Sequence, residues 1–189
     1  MHSLAGKLAG GVSLLAFIPY LIRTLQGKNR PNRATWIIWT ILGFILLASY
    51  RAVGASDTLW VSVANCVFFL AVVSLSFHYG EGGWTQLDMT CLLGAALGLF
   101  LWWYLKSPLS AVLICILLDF LGALPTLKKA YKDPKGEDRL TWLLFLLANL
   151  INLFAINQWT FAIAAYPIYL VLICLLISLT LWLVNHKNF

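Results

Sequence analysis

The sequence predicts an all-α membrane protein with seven transmembrane helices, built as a 3+1+3 parallel tandem repeat of three-helix bundles. Three observations carry that prediction. Of the 189 residues, 61% are hydrophobic and only 11% are charged, and the mean hydropathy is +0.86. The apolar residues fall in seven near-continuous runs, each bounded by polar or basic loops. Finally, a proline, a basic loop and a Thr-Trp helix start recur in one order at one spacing.

Composition sets the class. A soluble domain carries roughly 25% charged residues to cover its surface, and that polar coat is missing here. An ordinary cytosolic enzyme, a disordered chain and a water-soluble nucleic-acid binder are thereby excluded. The net charge of +6 does not point to nucleic acid, because the basic residues cluster in two short loops between apolar runs. Cys66, Cys91, Cys115 and Cys174 all lie inside apolar runs, without the spacing of a metal site or a disulfide framework.

A hydrocarbon core about 30 Å thick takes about 20 apolar residues of helix. The first run, Leu8 to Leu25, lacks a small-residue cleavage site and is expected to be a retained helix. It ends through Arg23, whose long stem reaches the interface. The second, Ala34 to Tyr50, opens on Thr35-Trp36, and the third runs from Thr58 to Phe77. The fourth, Leu87 to Leu105, contains Gly94 and Gly98 as a GxxxG, a close-contact pattern suited to intramolecular packing or to a homo-oligomer. The fifth, Pro108 to Leu127, holds Asp119 and Pro125. The sixth is Leu140 to Ile156, and the seventh, Trp159 to Val184, is long enough to tilt. Near-continuous runs exclude a β-barrel, whose strands alternate over about 10 residues.

Charge sets an orientation. Arg23, Lys28, Arg30, Arg33, Lys128, Lys129, Lys132, Lys135, Arg139 and Lys187 fall on one side of these spans. Only Lys7, Arg51 and Lys106 fall on the other, so ten of the 13 basic residues share a face. Positive-inside bias then predicts an external N-terminus and a cytoplasmic C-terminus, in a plasma (bacterial inner) membrane.

At an offset of 106 residues, Leu15 meets Leu121, Pro19 meets Pro125, Leu21 meets Leu127, Arg33 meets Arg139, Thr35 meets Thr141 and Trp36 meets Trp142. After a four-residue shift Thr58 meets Thr160. Three helices reverse the direction of the chain, so the unpaired fourth helix restores it and both copies point the same way. The expected units are residues 1–80, a linker helix over 81–106, and residues 107–189. Parallel repeats of this kind are one of the plans transporters use.

The stretch Phe17-Ile18-Pro19-Tyr20-Leu21-Ile22-Arg23 resembles a PQ-loop repeat, and Ala123-Leu124-Pro125-Thr126-Leu127-Lys128-Lys129 resembles its second copy. The chain is therefore similar to the SWEET-like superfamily that holds SWEET sugar transporters, cystinosin-like proton-coupled carriers, PnuC permeases and KDEL receptors. Tyr20 and Thr126 replace the signature glutamine, which makes this a divergent member lacking the PQ dipeptide. The resemblance implies a transporter that works by alternating access, with Pro19 and Pro125 as paired hinges. An in-helix proline removes a backbone hydrogen bond and favours a bend.

Few residues inside the spans are polar. Asp119 is the only acid well inside one, where an ionised aspartate costs about 2.5–3.5 kcal/mol. It reads as a proton-coupling switch or as a neutral carboxyl bonding a neighbouring helix. Asn149 and Asn152 lie one turn apart, and Asn65 lies inside the third run. Buried amides suit a small polar substrate, and SWEET-like proteins place asparagines in their pocket; helix-to-helix bonding is the other reading. Trp36, Trp39 and Trp142 are candidates either for stacking a substrate ring or for anchoring at the interface. Pro167 lies opposite Asn65 at the shifted offset, either in the same pocket or as a simple bend. The expected partners are a small-molecule substrate and the lipid bilayer. No metal, cofactor, nucleic acid or enzymatic activity is expected, since intramembrane histidines and acid clusters are missing. The alternative function is a non-transporting PQ-loop-type receptor or scaffold.

Overall fold

A computed structural model describes residues 2–52, 59–105 and 108–186. Thr58 of the repeat, and Lys106 and Lys187 of the charge count, lie outside the described residues. Among the described residues the chain is all-helical: α1 (His2–Leu25), α2 (Arg33–Ala52), α3 (Leu59–Tyr79), α4 (Gln86–Leu105), α5 (Pro108–Lys132), α6 (Arg139–Leu153) and α7 (Phe161–His186), with a 3₁₀ turn at Pro134–Gly136. No strand occurs among them.

Among the described residues, three helices are long and apolar enough to cross a membrane: His2–Leu25, Gln86–Leu105 and Ile163–Val184. Among the described residues the further apolar stretches are Arg33–Leu47 within α2, Asn65–Tyr79 within α3, and Arg139–Leu153. The sixth run was expected to continue to Ile156, but α6 stops at Leu153 after 15 residues, about 22 Å at 1.5 Å per residue. From there Phe154, Ala155 and Ile156 donate to the carbonyls three residues back, the tighter turn that commonly ends a helix. Conversely, α5 carries its helix past Leu127 to Lys132, taking Lys128 and Lys129 with it.

Local chemistry fixes the helix ends. Gly27, at φ +67°, closes α1: Gly27 N–H donates to Thr24 O and Lys28 N–H to Arg23 O. That double bond pattern needs a left-handed residue, which glycine supplies without a Cβ clash. Asn32 accepts from Thr35 N–H at 3.0 Å, and Asp138 accepts from Thr141 N–H at 3.2 Å. These are side-chain caps of α2 and α6, separated by the same 106 residues as the repeat. Thr85 and Asp88 form a reciprocal capping box at α4, with Thr85 N–H to Asp88 at 2.7 Å and Asp88 N–H to Thr85 Oγ1 at 3.2 Å.

The helices close a ring. In the first half α3 packs between α1 and α2, and in the second α7 packs between α5 and α6. The halves meet twice, α1 against α6 and α2 against α5, while α4 lies outside against α5 and α2. Gly94 and Gly98 face α5, where a Cβ would come within 3.0 Å of Leu121 and 2.9 Å of Leu118. The GxxxG face is thus used inside the protomer. The outer surface is apolar, with Leu15 and Ile18 of α1 and Leu93, Leu97 and Phe100 of α4 more than half exposed. Soluble monomers rarely expose contiguous apolar patches beyond a few hundred Å².

The two basic loops lie against each other at one end of the ring, where Arg30 N–H donates to Gly136 O at 3.0 Å. The α3–α4 loop joins them through Glu81 N–H to Pro31 O at 3.2 Å. At the opposite end, His2 Nδ1 lies 2.9 Å from Phe154 O, beside the α6–α7 connection.

Candidate functional site: a cavity inside the ring

All six ring helices line one cavity of about 180 Å³, and α4 contributes nothing to its wall. Its floor is aromatic. Trp39 of α2 and Trp142 of α6 come from helices on opposite sides of the ring, and their ring centroids meet at 6.0 Å. Trp36 packs edge-on against Trp39 at 5.2 Å, and Phe145 against Trp142 at 5.8 Å. Trp39 fits because α5 has a glycine beside it: a Cβ on Gly122 would lie 2.8 Å from the indole. The Trp39 N–H then donates to the Asp119 backbone carbonyl at 3.2 Å.

From this floor the cavity runs away from the basic loops, along α2 to Leu46 and along α6 to Asn152. Asp119 projects from α5, 6% exposed. Tyr166 and Tyr169, three residues apart on one face of α7, each donate a hydroxyl to a different oxygen of Asp119 at 2.9 Å. An isolated carboxylate in an apolar interior is costly, and two charge-assisted hydrogen bonds offset part of that cost. Asn149 donates to Phe145 O at 2.9 Å and contacts Cys174 Sγ at 3.6 Å. Asn65 Oδ1 lies 3.5 Å from the Ser13 hydroxyl.

Six residues singled out from the sequence (Asn65, Asn149, Asn152, Trp36, Trp142 and Asp119) therefore share one cavity wall, and Pro167 joins them. Pro19 and Pro125 do not line it; they lie inside α1 and α5. Interface anchoring does not fit Trp36, Trp39 and Trp142, which are only 1%, 7% and 3% exposed. Their positions at helix starts suggested the membrane boundary, but the side chains turn into the ring, where apolar area is buried. Among the described side chains, Trp84, Trp103, Trp159 and Trp182 are exposed.

Between the floor and the basic loops the ring is sealed by polar contacts that join the two halves. Thr35 Oγ1 of α2 and Thr126 Oγ1 of α5 lie 3.0 Å apart, and Thr141 of α6 donates to Ala16 O of α1 at 3.2 Å. Arg23 of α1 pairs with Asp138 at 3.2 Å. Lys129 of α5 pairs with Glu137 at 2.7 Å and also donates to Arg30 O of the first basic loop. The other Glu137 oxygen accepts from Trp142 Nε1 at 3.1 Å, tying the seal to the cavity floor.

Sequence reasoning missed Tyr166, Tyr169 and this seal. An aromatic pair three apart in an apolar helix looks like ordinary core, and Glu137 and Asp138 look like loop acids. The Asn32/Asp138 and Thr35/Thr141 correspondence, an N-cap three residues before a Thr in both copies, was the available signal. No family model matches the chain, and neither a curated protein nor a solved structure is significantly similar to it.

Proposed function

We propose that the chain is a multi-pass membrane carrier that moves a small polar solute by alternating access. Two like-oriented three-helix bundles, residues 1–80 and 107–189, rock about the cavity; α4 links them, giving a seven-span 3+1+3 plan. The carrying observation is a cavity bounded by all six ring helices and sealed at one end by contacts that cross between the halves. A central site whose seal joins two bundles is what alternating access requires, since rocking breaks that seal without unfolding either bundle. The matched packing order, α3 between α1 and α2 and α7 between α5 and α6, supports the tandem repeat. So does the meeting of the two basic loops.

With those loops cytoplasmic, the N-terminus is external, and the sealed end is the cytoplasmic one. Pro19 and Pro125 act as hinges, each removing one helical hydrogen bond next to the seal contacts of its helix. Asp119 couples a proton to substrate movement. This reading makes the protein a divergent member of the PQ-loop/SWEET-like superfamily in a plasma membrane. The test is uptake into proteoliposomes. A panel of sugars, amino acids, nucleosides, amines and vitamins should contain at least one solute that enters faster than into empty vesicles. If none does, the carrier reading fails, and a stable pull-down partner in that case favours a receptor or scaffold.

A further inference from the structure

We infer that the cavity binds a small organic cation, an ammonium or single-ring iminium compound, with Asp119 as its counter-charge. The inference rests on the carrier reading in taking this cavity as the substrate site, and it names the class of solute. Sign comes first. Among the described residues Asp119 is the only Asp, Glu, Lys, Arg or His on the cavity wall. Both of its oxygens are held by hydroxyls, which orient a carboxylate without neutralising it. The closest buried ammonium along α5 is Lys129, ten residues on, and it is already paired with Glu137 beyond the floor. No protein cation among the described residues shares the cavity with Asp119.

The aromatic part of the wall has the same polarity. Trp36, Trp39, Trp142 and Phe145 line the lumen, and a cation over the face of such a ring, within about 6 Å of its centroid, is attracted by the ring quadrupole. Asn149 uses its amide N–H on Phe145 O and Cys174, which leaves its carbonyl oxygen as the group for a ligand, an acceptor. An anion here would meet an uncompensated carboxylate in a low-dielectric space, where like charges repel strongly. Size comes last. A cavity of about 150 Å³ takes one benzene, so about 180 Å³ takes a ligand of one ring or a compact quaternary ammonium.

The experiment measures equilibrium binding to the purified full-length protein by calorimetry, followed by uptake in proteoliposomes. The probes are tetramethylammonium, choline and N-methylpyridinium, with 3,3-dimethylbutan-1-ol as the neutral carbon isostere of choline. At least one cation should bind, and choline, if it does, should bind at least tenfold tighter than its isostere. Asp119→Asn should weaken cation binding at least tenfold and leave the isostere unchanged. Failure of all three cations to bind, equal affinity for choline and its isostere, or unchanged cation affinity in a folded Asp119→Asn protein overturns the inference. The wild-type comparison stands even where the variant does not fold. A neutral solute that is transported while no cation binds rejects this inference and keeps the carrier reading; a cation that binds at Asp119 but is never transported does the reverse.

Discussion

Replacing Glu137 separates a buried ion pair from a surface one. Lys129 and Glu137 side chains are each 1% exposed and 2.7 Å apart, and Glu137 also accepts the Trp142 indole N–H. Glu137→Leu removes the partner of Lys129 and of Trp142 at once. The ammonium of Lys129 is left with the Arg30 carbonyl alone, and breaking a buried pair by removing one member costs about 3–5 kcal/mol. The orphaned indole N–H adds about 1–3 kcal/mol. Glu137→Gln keeps an acceptor for Trp142 and loses only the charge, so it should be the milder variant by about that second amount. The double variant Lys129→Met/Glu137→Leu removes the uncompensated charge and should lie closer to wild type than Glu137→Leu alone. Thermal or denaturant unfolding in detergent, arranged as a double-mutant cycle, reads all three. A loss below about 1 kcal/mol in Glu137→Leu, the range of exposed pairs, or strict additivity in the cycle, would refute a seal built on a desolvated pair.

Three further outcomes are expected. Gly122→Ala places a methyl 2.8 Å from the Trp39 indole; overpacking of this kind costs about 1–3 kcal/mol, and it should lower the melting temperature and shift the tryptophan emission, whereas an unchanged protein would mean that Trp39 does not depend on that gap. Asp119→Asn should abolish uptake driven by a pH gradient and, because the counter-charge is lost with it, raise the cation concentration needed for half-maximal exchange at least tenfold; an unaltered pH profile would reject coupling at this residue. Cysteines introduced as Lys28→Cys and Lys135→Cys should react with a membrane-impermeant maleimide from the same side of the bilayer, the cytoplasmic one; labelling from opposite sides would overturn the like-oriented repeat.

The cavity and its seal also explain why a chain with so few charges keeps four of them buried near one end. Lys129, Glu137 and Asp138 are buried and Asp88 caps a helix there. Each is paired or hydrogen-bonded near the basic-loop end. On the carrier reading, the contacts among them that cross between the halves, such as Arg23 to Asp138, are the ones that part.

All-helical class, loop charge and the 106-residue correspondence were legible in the chain because each depends on local quantities: run length, hydropathy, a proline, a basic cluster. Asn65, Asn149, Asn152 and Asp119 were also legible, since a polar side chain inside an apolar run has few places to go except inward. The direction taken by Trp36, Trp39 and Trp142 was not. A tryptophan near a helix end serves equally well at a lipid interface or in a core, and only the rotation of its helix against neighbours selects one. Nor could the sequence give Tyr166 and Tyr169 to Asp119, 47 and 50 residues away, or set Arg23 against Asp138. Those pairings arise when the ring closes and brings α5 to α7 and α1 to α6. Hydrophobicity determines that a segment is helical and which residues avoid lipid; it is non-directional, so the choice of partners is decided by packing and hydrogen-bond geometry in three dimensions.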